Sequence, residues 1–257
     1  MGGIFGRVAP WITGLILAFF MLAAWAIGLE VGRKRRAAGE EVTSEKLRDA
    51  AIALLGLLLA FTFAMALGKY DYRRLMLVSD SNAIGDFYTC ATLLDEPVRT
   101  ELRKVVHEYA VLRLEADRLP EIPRQPFEQA LERLERLQTQ MTDLVSRAVH
   151  QGTPIAIPLT DTLNALTSNA AAHLAAVRDR VPRIIVLLLY LAAATVTALV
   201  GLRQGNAGHT PRLPELVAFV LLVSMVVYVI LDLNQPSRGL ITVSPEPLER
   251  LIASMEK

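Results

Sequence analysis

Apolar residues are distributed along this chain in two ways. In four blocks, residues 8–32, 51–68, 184–202 and 213–231, they run almost without interruption. Between the second and third blocks they recur at three- and four-residue intervals among charges. Each block is about 20 residues long, enough at ~1.5 Å per residue to cross ~30 Å of hydrocarbon. The pattern predicts four transmembrane helices. For the first block, with Arg7 before it, a secretory signal peptide is the alternative. Its apolar core is too long for that, and the basic cluster Arg33, Lys34, Arg35 and Arg36 follows directly.

The second block organises the rest. No proline lies between Asp49 and Leu94, and beyond Gly68 the sequence keeps helical character while acquiring charges. One long helix is expected to cross the membrane and continue into water, with Thr43 and Ser44 as capping positions at its start. Further on, Leu102, Val105, Val106, Tyr109, Leu112 and Ala116 fall on one helical face. Pro120 and Pro123 break that helix, and Pro126 suits the first position of the next. Phe127, Ala130, Leu134, Leu137, Met141, Leu144 and Ala148 make a coiled-coil seam about three heptads long. After a turn at 151–158, Leu159, Leu163, Leu166, Ala170, His173 and Val177 repeat the spacing, so the two helices are expected to pair antiparallel. Pro211 and Pro214 mark the start of the fourth span. The tail reads as a turn at Pro236 and Gly239, an extended piece, and a short amphipathic helix starting at Ser244 and Pro245.

The fold class is therefore an all-α integral membrane protein: four transmembrane helices with a helical extramembrane bundle continuous with spans two and three. Residues 1–68 are expected to hold spans one and two with their basic loop, 69–181 the helical domain, 182–234 spans three and four, and 235–257 a tail packed on the domain side.

Composition agrees with this reading. Of 257 residues, 53% are apolar, above the 45–50% typical of soluble domains. The net charge of +1 gives no argument for nucleic-acid binding. Cys90 is the single cysteine, so no internal disulfide is possible and the residue reads as a small buried apolar group. His107, His150, His173 and His209 are scattered. His173, on the seam, reads as a hydrogen-bonded core histidine, with a proton sensor or ligand as the alternative. No metalloprotease, nucleotide-binding or nucleophile-elbow motif is present, and the spans carry no lysine, arginine or aspartate near their centres. The expectation is a protein that is not an enzyme and needs no cofactor and no metal.

Small residues repeat every fourth position on two spans. Ala24, Gly28 and Gly32 do so on the first, with Trp11 placed as an interfacial anchor. Gly56, Ala60, Ala64 and Gly68 form a longer ridge on the second. Such ridges let helix backbones approach closely, within one chain or between copies. Beyond the second span, Asp71, Leu75, Val78, Asn82, Asp86 and Thr89 fall in a ~80° sector at 100° per residue. Asp71, Asn82 and Asp86 are the candidate pore or vestibule residues, and Gly85 beside them suits a close backbone approach.

Four spans put both termini and the helical domain on one side. The positive-inside rule, counted around the first span, puts the basic loop in the cytoplasm and the helical domain outside. Lys69, Arg73, Arg74, Arg178, Arg180 and Arg183 pull the other way. The functional expectation is a homo-oligomeric ion channel or pore in a bacterial inner membrane. The alternative is a non-conducting membrane-anchored module that senses or scaffolds through its bundle.

Two stretches add a family resemblance. FTFAMALGKYDYRRLMLVSDSNAIGDFY at 61–88 and YVILDLNQPSRGLITVSPEPLERL at 228–251 resemble the two signatures of bacterial membrane proteins with a bestrophin-like domain. The resemblance implies the same four-span order over nearly the whole chain. Through the remote link to true bestrophins, which are pentameric anion channels with helices extending into the cytosol, it implies a pentamer and a cytoplasmic helical domain. The aromatic pore neck and acidic calcium clasp of those channels have no counterpart here.

Overall fold

The structure, a computed structural model, describes residues 10–39, 45–119, 124–207, 213–235 and 239–256. Arg7, Thr43, Ser44, Pro120, Pro123, His209, Pro211 and Pro236 lie outside them. The described residues form α-helices α1 (Pro10–Ala37), α2 (Glu45–Thr92), α3 (Val98–Arg118), α4 (Arg124–His150), α5 (Ala156–Arg178), α6 (Arg183–Ala207), α7 (Leu213–Leu233) and α8 (Glu246–Met255). Four stretches, lying in α1, in α2, in α5 with α6, and in α7, are long and apolar enough to span a membrane. The protein is an all-α integral membrane protein. Its helical region is reached from the second span through the unbroken α2, and it leads into the third through residues 179–182.

Pro126 falls in the third position of α4, not the first. The first turn of a helix tolerates proline because its N–H groups have no intrahelical acceptor. The helix therefore begins ahead of the ring.

The chain divides into two compact units: Met1–Gly68 with Arg180–Asn234, and Lys69–Asp179 with Gln235–Lys257. In the first unit, α1 packs on α6 and α7. The α1–α6 contact is made by glycines on both helices. A Cβ on Gly28 would lie 2.1 Å from Ala198 O, and one on Gly32 would lie 2.2 Å from Leu202 O. From the other side, Gly201 meets Trp25 O and Gly205 meets Leu29 O, each at 2.1 Å. These are backbone atoms that cannot swing aside, so a hydrogen is the largest substituent the contact admits. Trp25 Nε1 donates to Gln204 Oε1 at 2.9 Å across the same pair. Leu17, Met21, Leu55, Val196, Val220 and Val223 fill the remaining core.

In the second unit the seam expected from the sequence is the core. Leu134, Leu137, Met141 and Leu144 of α4 are buried with Leu159, Leu163 and Leu166 of α5. They join Ile84 and Phe87 of α2 and Leu102, Val106 and Tyr109 of α3. α4 packs on both α3 and α5, and α8 lies against α3 with Leu248 and Met255 inside.

Candidate functional site

Burial along the second half of α2 alternates with the helical period. Arg73, Leu77, Asp80, Ser81, Ile84 and Phe87 are buried, whereas Asp71, Leu75, Val78, Asn82, Asp86 and Thr89 are all exposed. The first half of the same helix leaves Gly56, Ala60, Ala64 and Gly68 exposed, and a Cβ on Gly56 or Gly68 would meet nothing within 4 Å. Of the described residues 46–68, Leu55, Thr62 and Ala66 are buried. At ~100° per residue, the four small residues cover an arc of ~120°, and the six residues from Asp71 to Thr89 fall inside it. By ideal helical geometry these positions make one stripe of α2, small and apolar at first and polar later, and every one of them is exposed.

Asn82 and Asp86 stand one turn apart. With Gly85 they border an open depression of ≈ 460 Å³ whose far wall is Pro247, Arg250 and Leu251 of α8. Leu251 Cδ1 would lie 3.1 Å from a Cβ on Gly85, so the glycine makes room for α8. Asp71 shares the face but lies ~17 Å from Asn82 along the axis, at 1.5 Å per residue. Gly28 and Gly32 are taken up by α6 as described above.

The buried face of α2 carries chemistry that periodicity does not reveal. Asp80 (α2), Arg113 and Asp117 (α3) and His173 (α5) converge. The side chains of Asp80, Arg113 and His173 are 2%, 6% and 5% exposed, so all three are almost wholly removed from water. Arg113 Nε donates to Asp80 Oδ2 at 2.8 Å, and Arg113 Nη1 lies 3.4 Å from Asp117 Oδ1. Arg113 Nη2 also contacts His173 Nδ1, which in turn is 3.2 Å from Asp80 Oδ2. His173 Nε2 lies 3.9 Å from Asp117 Oδ1. Asp80 Oδ1 and Asp117 Oδ2 are buried with no hydrogen-bond partner. Burial pushes the Asp80 carboxyl up, but the His173 hydrogen bond and the Arg113 charge outweigh it and hold it below the usual carboxylate range. Asp117 has the opposite outcome: burial dominates over the Arg113 and His173 charges and raises it. The Arg113 guanidinium is raised despite burial, by Asp117 and Asp80. Tyr109, whose hydroxyl accepts from Gln138 Nε2 at 3.1 Å, is pushed up to about 12 by burial.

A cavity of ≈ 270 Å³ opens beside the cluster. Arg73, Arg113, Asp117 and His173 form its polar side, and Phe127, Leu174 and Val243 are among its apolar walls. Among the described residues no three His, Cys, Asp or Glu side chains gather as a metal-holding group. His107 lies 3.9 Å from Glu256, and Cys90 is a half-buried free thiol. The sequence located His173 on its seam. It did not locate its partners, which lie 60 and 93 positions away in the chain.

The fold has a solved counterpart. A crystal structure described as that of a membrane protein superposes with a TM-score of 0.62 at 11% identity, covering 93% of this chain and 98% of that one. At this identity the likeness is one of fold. No curated protein matches the sequence. Residues 14–248 match the bestrophin-like domain; the match contains the stretch at 61–88 and all but the last three residues of the stretch at 228–251, and the chain accordingly belongs to the bestrophin-like family.

Proposed function

We propose that this protein is a homo-oligomeric ion channel in which the uncovered stripe of α2 faces its copies. The observation that carries the reading is the continuity of that stripe. Small residues that permit close helix approach in lipid pass, on the same face of one helix, into exposed Asp71, Asn82 and Asp86. Copies related by a rotation axis along α2 put the ridge at the helix contacts and the polar sector around a water-filled mouth. Symmetry then turns Asp86 into a ring of carboxylates, which attracts cations and opposes anions. Membership of the bestrophin-like family supports a channel. The stoichiometry that goes with the reading, by analogy with bestrophins, is five. The helical region is the extramembrane part, and the charge count around α1 favours its lying outside the cytoplasm.

Ion flux from purified protein in liposomes tests conduction. In planar bilayers under a salt gradient, Asp86→Lys is expected to move the reversal potential toward that of the anion while the variant stays folded. A folded variant with unaltered selectivity removes Asp86 from the vestibule. Absence of flux from an assembled wild-type protein favours the second reading, a membrane-anchored sensing module. The observation behind that reading is the buried charge cluster with its adjoining cavity.

A further inference from the structure

His173 Nδ1 lies between a donor and an acceptor. Arg113 Nη2 reaches it from α3, and Asp80 Oδ2 stands 3.2 Å away on α2. A single ring nitrogen serves these two partners only in alternation. Without a proton it accepts from the guanidinium and faces the carboxylate lone pair to lone pair. With a proton it donates to the carboxylate and repels the guanidinium. We propose that His173 is a proton-operated switch that transfers α5 from a hydrogen bond with α3 to one with α2.

The surroundings suit such an exchange. Both carboxylates favour the imidazolium, Asp80 at Nδ1 and Asp117 at Nε2, and each keeps an oxygen with no hydrogen-bond partner. Arg113 opposes it from α3, and Arg73 adds positive charge on the cavity they share. Tyr109 stays neutral, since burial pushes its hydroxyl up to about 12, and α4 presents the uncharged Gln138 to it. α5 itself contributes Asn169, already engaged by Ser79 Oγ at 2.6 Å. On protonation Arg113 keeps Asp80 and Asp117 and loses the bond that reaches α5. The cavity bordered by Arg113 and His173 gives the displaced guanidinium room to move. The inference concerns the helical unit alone and does not depend on conduction.

The test uses the full chain in detergent micelles with nitrogen-labelled histidine. The four histidines are few enough to assign by substitution. Ring-nitrogen spectra are recorded from about pH 8 to about pH 5, across the range where histidine titrates. The expected result is a bare Nδ1 with the proton on Nε2 at the upper end and an imidazolium at the lower end. Amide exchange in residues 156–178, corrected for intrinsic rates, is expected to change about tenfold over the same range as the tie passes from α3 to α2. His173→Gln, which accepts from Arg113 but takes no proton, is expected to abolish the pH response. A proton on Nδ1 at the upper end overturns the proposal. So does unchanged α5 protection in the wild type, or an identical pH response in His173→Gln. Should that variant fail to fold, the wild-type ring-nitrogen signals decide by themselves.

Discussion

α1 and α2 carry the same pattern, a small residue at every fourth position, and the fold uses it in two ways. On α1 the pattern is consumed inside the chain. Gly28 and Gly32 press against the backbone of α6, where Gly201 and Gly205 answer them. On α2, Gly56, Ala60, Ala64 and Gly68 are exposed, and among the described residues nothing lies within 4 Å of a Cβ on Gly56 or Gly68. The repeat specifies how closely a helix can be approached, not by what. What separates the cases is the partner: α6 offers a matching glycine pair, and no described helix offers one to α2.

Substitutions sharpen the contrast, and the largest expected effect is in the core that needs no glycine. Leu137→Asp places a carboxylate in the leucine seam of the helical unit, where Leu137 is 6% exposed. A loss of about 4 kcal/mol is expected for an unpaired buried charge, read as a collapse of thermal stability in detergent. Unchanged stability would contradict burial of the seam.

Next comes the charge cluster. Asp80→Asn breaks a buried pair with Arg113 and is expected to cost about 3 kcal/mol at neutral pH. The sign follows from the lowered carboxyl of Asp80. Its contribution is present above the unfolded value of ~3.9 and is lost as pH falls through the lower folded value. Asp117 runs the other way. Its contribution is present below ~3.9 and lost as pH rises through the raised folded value, so at neutral pH its charge weakens the fold. Asp117→Asn is therefore expected to stabilise the protein there. Denaturant midpoints across pH check both signs.

One substitution placed on both ridges isolates the difference between them. Gly28→Ala forces a methyl against Ala198 O and is expected to destabilise by about 2 kcal/mol. In the unassembled chain Gly56→Ala meets nothing within 4 Å among the described residues and gains up to about 1 kcal/mol of helix propensity, so the pair is compared in the monomeric Ala60→Leu, Ala64→Leu background. Thermal shifts of opposite sign are expected; shifts of the same sign would erase the distinction between the ridges.

Much of this was legible in the sequence, because it is periodic. The four spans follow from uninterrupted apolar runs, and Leu134, Leu137, Met141, Leu159 and Leu166 are buried where the seam puts them. That Asp71, Leu75, Val78, Asn82, Asp86 and Thr89 share one face also follows from the period, whereas periodicity left open whether the apolar middle of that face is core, and the structure exposes it. Two things did not. Gly201 and Gly205 answer α1 from more than 170 residues away, and a glycine pair does not name its partner. Asp80, Arg113 with Asp117, and His173 come from three different helices, and charged residues on amphipathic helices ordinarily face water. Asp80 and Arg113 do so in any local reading, and burial becomes visible only when three helices meet.

The most direct test concerns the face of α2 that is exposed among the described residues. Light scattering of the purified full-length protein is compared with that of the Ala60→Leu, Ala64→Leu double variant. Both residues are exposed in the single chain, so the variant is expected to keep its helix content and thermal stability as a chain. The account predicts a defined oligomer for the wild type and monomers for the variant. A monomeric wild type, or a variant that assembles as the wild type does, would contradict it.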